Sequence, residues 1–479
     1  MIKKIFQYLL RNFSEEQRIV KNSFWIALAR FGGSLLRAIL IIYAFRILGP
    51  SLQGSFSLAM NFILIFSFIP DFGLTAVLIR EIIKNQGKKK EILANAFLVV
   101  FILLFLSLII INLSKSFFIK DPLAQTLISI LSIFLIFDTL REFLYSLFRA
   151  KEKMELQAFS HLLTNFLLLF FGILLLKLNP LPYSLAQAYF LASFIGFIFT
   201  FFLLKKEIVF NYLKFFQTKI VFDLLNKSWP IGIANFLFLI ITYLDSLIVG
   251  WFHPAKDVGL YSSVVKLIEF LYFFPAALAM AVFPILSKKN SQEFQQTIAF
   301  GFQLALFISL PILGGLLVLA KDIIAFIFGS KYIDAYPGLQ LVSFAIPFNF
   351  LLLILVDALI ALDKRKELLI YDFVVLVLNF ILNLIFVPQF SYFASSAITS
   401  ISSLLSLIFA YLILKKYAPI SLKEVKISNY LLSTILMMIL IYILPVHLIL
   451  KVIIGALFYF LFLFILKDPL FVKLKKFEI

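Results

Sequence analysis

Two arginines seven residues apart, Arg30 and Arg37, stand inside an apolar run from Ser23 to Phe45. On an α-helix that spacing is nearly two turns, so both charges fall on one face, with Ser34 between them and Ile41 beyond. An arginine near the centre of a bilayer costs roughly 2.5–3.5 kcal/mol on insertion scales, which directs it toward a protein interior, a watered cavity or an anion. Two guanidinium groups on one face suit an anion, which they bind through charge-assisted hydrogen bonds.

Other charges are placed to pair or to titrate. Asp71 follows Pro70 at about the depth of Arg30, so Arg30 can be neutralised there, whereas Arg37 has no obvious carboxylate at its depth and is the better candidate for touching a ligand. Asp138, Arg141, Glu142 and Tyr145 recur at helical spacing and share a face. Asp245 and Lys266 are level with one another in consecutive segments, and Lys266 can also pair with Glu269. Each of these groups also reads as an internal ion pair that fixes helix register. His161, His253 and His447 lie on separate segments without ligand spacing, so no metal site is expected. The absence of cysteine excludes disulfides and thiol chemistry, and no G-x-x-x-x-G-K-[ST] loop is present for nucleotide hydrolysis.

The elements that carry these residues are set by composition. Of 479 residues, 63% are hydrophobic and 61 are Phe, more apolar surface than a water-soluble fold can cover. An all-α integral membrane protein follows. At about 17–25 apolar residues per crossing, about fourteen transmembrane helices are expected, near 23–45, 55–79, 92–113, 123–148, 158–176, 185–204, 229–250, 260–286, 297–320, 337–361, 368–388, 394–414, 429–446 and 450–466. The last two could also be one kinked element, since only Pro445 to Leu448 separates them.

The formal charge of +18 invites nucleic acid as a partner, but its placement argues otherwise. Of the 43 Lys and Arg residues, 31 fall in the N-terminal stretch, the even-numbered loops and the C-terminal stretch, against 8 in the odd-numbered loops. By the positive-inside rule both termini are cytoplasmic, and the excess needs no nucleic acid. Residues 1–22 lack the pattern of a cleaved signal peptide and instead place Ile5, Phe6, Leu9, Leu10 and Phe13 at helical spacing, as in a helix lying on the membrane surface. The longest loop, 205–227, has the same amphipathic character and separates a six-helix set at 23–204 from another at 228–414. Residues 415–479 add two helices and a basic tail.

The two sets align without gaps at an offset of 205 residues. Ser23 then matches Ser228, Ala29 matches Ala234, Gly54 matches Gly259 and Pro70 matches Pro275. A duplication with an even number of crossings gives copies of one orientation, an arrangement used by several transporter folds. Arg30 and Arg37 align with Asn235 and Thr242, and Asp245 with Leu40, so the copies share a frame and differ in chemistry.

Lys21-Asn22-Ser23, Leu48-Gly49-Pro50 with Gly54 and Phe56, and Asp71-Phe72-Gly73-Leu74 followed by Ile79-Arg80-Glu81 carry a family resemblance. Asp245 with Gly250, Val258-Gly259-Leu260-Tyr261 and Ala361-Leu362-Asp363-Lys364 fit the same pattern. The chain resembles the polysaccharide-biosynthesis (Wzx-like) flippases of the multidrug/oligosaccharidyl-lipid/polysaccharide exporter superfamily over its whole length. The resemblance implies two pseudo-symmetric six-helix bundles in a V shape around a central cavity. It implies transport, not enzymology: a polyprenyl-diphosphate-linked oligosaccharide moves from the inner to the outer leaflet of the cytoplasmic membrane by alternating access. Arg30 and Arg37, with Asp71 and Arg141, would form the substrate site, and Asp245, with Lys266 and Glu269, would couple transport to a Na+ or H+ gradient. No cofactor is expected. Membrane lipid, the lipid-linked substrate and polysaccharide-assembly proteins are the expected partners of a monomer. A lipid II type flippase and a multidrug or ion antiporter are the alternatives within the superfamily. A polysaccharide polymerase or glycosyltransferase is the alternative outside it, although neither the large external loop of the one nor the acidic cytoplasmic site of the other is visible.

Overall fold

A computed structural model describes residues 15–205, 207, 212–272, 275, 286, 291–418, 425–468 and 470. Every regular element among them is helical. A bilayer interior leaves the backbone no water to bond, so α-helices, which satisfy their own N–H and C=O groups, are the solution open to runs this apolar. Among the described residues, ten helical stretches are long and apolar enough to cross a membrane, and Ile427–Ile443 is a shorter apolar helix.

The helices are α1 (Glu15–Phe66), α2 (Phe68–Asp71), α3 (Leu74–Lys84), α4 (Lys89–Phe118), α5 (Pro122–Ala150), α6 (Met154–Leu178), α7 (Pro182–Leu204) and α8 (Thr218–Phe252). They are followed by α9 (Ala255–Leu271), α10 (Ser291–Phe328), α11 (Tyr336–Ser343), α12 (Ala345–Ala361), α13 (Arg365–Tyr417), α14 (Ile427–Ile443) and α15 (Leu448–Ile465). Two of the long ones each join two expected crossings end to end. α1 bends at Gly49, whose φ of 72° only glycine adopts freely, and Pro50 opens the continuation. α13 bends at Ser391 in the same way. The final pair is two helices, α14 and α15, parted by an extended Leu444 and His447.

The second expected crossing is interrupted. After α1 ends, the four-residue α2 closes with Phe72 and Gly73 both in the left-handed region, at φ 36° and 76°, before α3 resumes. The expected surface helix at 205–227 also differs. Tyr212–Phe215 is a single 3-10 turn, 208–211 lie outside the described residues, and 218–227 already belong to α8. The expected surface helix at the start of the chain falls largely on residues outside the described ones, and 15–22 are the first turns of α1.

The chain divides into two compact units, Met1–Gly259 and Leu260–Ile479. In the first, a core forms where α3, α4 and α5 meet the end of α7 and the start of α8, around Leu78, Val100, Phe143, Tyr145, Phe148, Leu204 and Leu224. The basic end of this unit is tied together by polar contacts. Lys21, almost fully buried, bonds Glu155 at 3.0 Å. Asn95, fully buried on α4, donates to the Phe215 carbonyl and accepts from the Gln217 amide, at 2.8 and 2.9 Å. Glu207 bridges Lys89, at 2.8 Å, and Lys151. In the second unit, the Asn383 carboxamide accepts from Ser395 at 2.8 Å across the two arms of α13, and Asp468 accepts from Tyr430 at 2.9 Å, fixing the end of α15 to α14.

Candidate functional site

The break in α2–α3 positions a candidate site. Pro70 and the two left-handed residues end one helix, and Asp71 starts the next by accepting from the Thr75 amide at 3.2 Å and from the Thr75 hydroxyl. An aspartate in this role satisfies amides that the first turn of α3 would leave bare. Gly73 is required twice over. Its φ is positive, and a β-carbon would lie 2.6 Å from the Ser228 carbonyl oxygen and 2.7 Å from Ile231 on α8. Phe68 packs against Phe236 with centroids 4.3 Å apart and the rings tilted by 37°, so the interrupted segment is held against α8.

Irregular backbone at membrane depth is tolerated where it is buried in protein or lines a cavity, and here a cavity of about 580 Å3 opens beside it. Its polar lining comes from Ser67, Asp71 and Thr75 at the break, Asp138, Thr139, Glu142 and Arg149 on α5, and Asn235 on α8. Three carboxylates therefore face one cavity. Asp138 is neutralised by Arg141, and Glu142 accepts from Arg149 at 3.2 Å. Behind this wall Arg141 and Tyr145 are buried. Arg141 lies 5.6 Å from the Tyr145 ring centroid, its Nε finds no hydrogen-bond partner among the described residues, and the Tyr145 hydroxyl continues to Ser160 at 3.0 Å and on to Thr200 at 2.6 Å. The four residues expected on one face thus divide: Asp138 and Glu142 line the cavity, while Arg141 is buried behind it and Tyr145 ties α5 to α6 and α7.

The opening arginines stand elsewhere. Arg30 and Arg37 are both exposed, on the face of α1 beside the buried Ala29, Gly33 and Leu40, and neither lines the 580 Å3 cavity. The pairing of Arg30 with Asp71 suggested by depth does not form among the described contacts; Asp71 Oδ1 accepts from Thr75 instead. Counting depth along a straight helix misplaces a residue that follows a break. His161 of α6 fills the gap over Gly33 and bonds Asn165. Asp245 is buried on α8 in the first unit, and in the second unit Lys266 and Glu269 pair at 2.7 Å on α9. No cluster of three or more metal-ligating side chains occurs among the described residues.

Sequence reasoning passed over Thr75, Thr139 and Arg149 in this cavity. Their signal lies in spacing. Pro70, Asp71, Gly73 and Thr75 form a stop-and-restart signature, a proline and a glycine three apart with a capping aspartate between them. Once that break is placed, Thr139 and Arg149 follow from the face of α5 that already carries Asp138 and Glu142.

Comparison with known proteins matches this architecture. The profile of the family described as Polysaccharide biosynthesis protein covers residues 19–290, and that of the MatE family covers 230–385. A Shigella flexneri protein described as an O-antigen transporter is 25% identical over 368 residues, 73% of this chain and 86% of its own length. An uncharacterized membrane protein of Methanocaldococcus jannaschii is 22% identical over 70% of this chain and 72% of its own. Among solved structures, the lipid II flippase MurJ in an inward closed conformation superposes with a TM-score of 0.76 at 18% identity, covering 94% of this chain and 99% of that one. An inward-facing multidrug resistance MATE family transporter superposes at 0.64 and 15% identity, over 83% and 95%. These last two share the fold. The expected all-α membrane architecture and the superfamily resemblance both hold, and with the family profile spanning more than half of its length, the chain belongs to the polysaccharide biosynthesis protein family, as a multi-pass membrane transporter and not an enzyme.

Proposed function

We propose that this transporter flips a polyprenyl-diphosphate-linked oligosaccharide from the cytoplasmic to the outer leaflet of the plasma membrane, with both chain termini cytoplasmic. The observation that carries the reading is the carboxylate-lined cavity at the broken α2–α3 segment. Sugar hydroxyls are hydrogen-bond donors, and Asp71, Asp138 and Glu142 are acceptors, supplemented by Thr75, Thr139 and Asn235 that serve in either sense. Asp138 and Glu142 are paired with arginines, and Asp71, which forms no ion pair among the described residues, disfavours a diphosphate there. In this reading the cargo is divided: its glycan uses the cavity, its diphosphate uses the exposed Arg30 and Arg37 face of α1, and its prenyl chain stays in lipid. The description of the Shigella flexneri relative as an O-antigen transporter supports a glycan cargo.

The transporter works by alternating access, and Asp245 couples it to a Na+ or H+ gradient, since a buried carboxylate changes its cost of burial when it takes up or releases a cation. It acts as a monomer alongside the proteins that assemble the polysaccharide. The test is translocation in vesicles: the purified chain is reconstituted with a fluorescent polyprenyl-diphosphate oligosaccharide, and the fraction protected from an external glycan-modifying enzyme is followed with time. Protection is expected to equilibrate faster than in protein-free vesicles and to respond to an imposed gradient, the response being lost in Asp245→Asn. A rate equal to that of protein-free vesicles would remove the cargo, and a gradient response retained by Asp245→Asn would remove the coupling role.

A further inference from the structure

A second crevice, of about 260 Å3, opens between α3 and α8 on the far side of Ala76 and Ile231, residues it shares with the large cavity. Arg80 and Lys84 are four residues apart and share a face of α3, and Lys227 reaches in from α8. One carboxylate, Glu81, faces these three cations. Glu81 is buried and already committed, to Lys227 at 3.0 Å and to the Asn85 side chain at 3.0 Å. Lys227 also bonds Asp223 outside the crevice. Arg80 and Lys84 are exposed and form no ion pair among the described residues. The crevice therefore carries uncompensated positive charge above a floor of Ala76, Val77 and Ile231.

Its position narrows the ligand. The crevice lies at the end of the first unit where Lys88, Lys89 and Lys90 follow α3, the end that charge distribution assigns to the cytoplasmic interface. A small hydrated anion would use the cations and waste the apolar floor. A metal cation or a protonated amine would be repelled. A phosphate ester carrying an acyl or prenyl chain satisfies both parts, with its oxygens on the guanidinium and ammonium groups and its first carbons on the floor.

We propose that the Arg80, Lys84 and Lys227 crevice binds the phosphate headgroup of a lipid in the adjoining leaflet. Two lipids present that chemistry, an ordinary anionic phospholipid and a polyprenyl diphosphate. The site stands whichever cargo the transporter carries. A phosphate seated here lies about one helical turn, ~5.4 Å along α3, from the level of the large cavity. It also competes with Glu81 for Lys227, and so bears on the contact that joins α3 to α8.

The test uses the full chain in phosphatidylcholine nanodiscs containing a stepwise increasing fraction of phosphatidylglycerol, with the phosphatidylglycerol retained on release into the gas phase counted by native mass spectrometry. Arg80→Gln with Lys84→Gln is expected to weaken retention roughly 30-fold, from the loss of two cations near the headgroup plane. Lys88→Gln with Lys90→Gln, equal in charge change and outside the crevice, is expected to match the parent, as is the charge-preserving Arg80→Lys with Lys84→Arg. Because Arg80 and Lys84 are exposed, these variants leave the core intact, which a thermal unfolding curve checks. Polyprenyl diphosphate is then added as competitor: displacement of phosphatidylglycerol assigns the crevice to both lipids, and its failure assigns the crevice to phospholipid alone. Equal losses in the two glutamine pairs, or unchanged retention in Arg80→Gln with Lys84→Gln, would overturn the proposal.

Discussion

At Gly73 a single hydrogen in place of a side chain lets α2 stop, α3 start and α8 approach. Alanine there would have to hold a positive φ and place its β-carbon 2.6 Å from the Ser228 carbonyl oxygen, an atom of helical backbone that cannot swing aside. Gly73→Ala is expected to destabilise the chain by about 1–3 kcal/mol, read as an earlier unfolding midpoint in detergent. Gly87→Ala, where nothing lies within 4 Å and φ is ordinary, should be neutral or slightly stabilising. Equal midpoints for the two variants would show that the break is not held by this contact. Gly54 and Gly259, matched by the internal repeat, make a comparable approach: a β-carbon on Gly54 would meet the Ala255 carbonyl oxygen, and one on Gly259 the Pro50 carbonyl oxygen. Some of this was readable beforehand. The i, i+3 spacing of Asp138 and Arg141 gave their ion pair, and the repeat picked out both glycines. The spacing of Pro70, Asp71 and Gly73 marks the break, but hydropathy is continuous across it, so apolar run length carries a straight helix through and misses Thr75 as the partner of Asp71.

At the scale of elements, apolar run length located the crossings and missed the joints. Gly49 and Ser391 bend continuous helices where two separate ones were expected, and α8 begins at Thr218, eleven positions before the apolar run suggests, because the polar residues 218–227 are helical too. The described residues Glu207, Phe215 and Gln217 before α8 are anchored. Asn95 holds Phe215 and Gln217, and Glu207 holds Lys151 and Lys89. The hydrogen bonds from Lys151 and then Lys89 draw the Glu207 carboxyl down to about 2. A carboxyl whose folded value is depressed stabilises the fold above its ordinary range and loses that contribution as pH falls toward the depressed value. Glu207→Gln should therefore lower stability at neutral pH, by no more than about 1 kcal/mol since the pair is half-exposed and screened. The gap to the parent should close between pH 4.5 and about 2. Unfolding curves of both proteins across that range check it, and a gap that is constant with pH would mean that the pair does not anchor the segment. Which loop residues find each other across 118 positions of sequence is a product of packing, and nothing local in 205–217 announced it.

For the whole molecule, composition and the length of the apolar runs were sufficient to give an all-α membrane protein, because a bilayer admits so few architectures, and the family resemblance supplied transport. The cargo is a different matter, since it depends on a few polar groups at membrane depth whose neighbours only the fold assembles. The central claim is that the cargo is shared between the carboxylate cavity and the arginine face of α1. It is tested most directly by the initial rate of lipid-linked oligosaccharide translocation in vesicles for Arg37→Ala and Arg37→Lys beside the parent chain. Arg37 is exposed, so both variants should fold and reconstitute like the parent. Removing a charge-assisted contact to the diphosphate should slow Arg37→Ala roughly 10- to 100-fold, with Arg37→Lys intermediate because it keeps the charge and loses the paired geometry. A rate for Arg37→Ala equal to that of the parent would contradict the account.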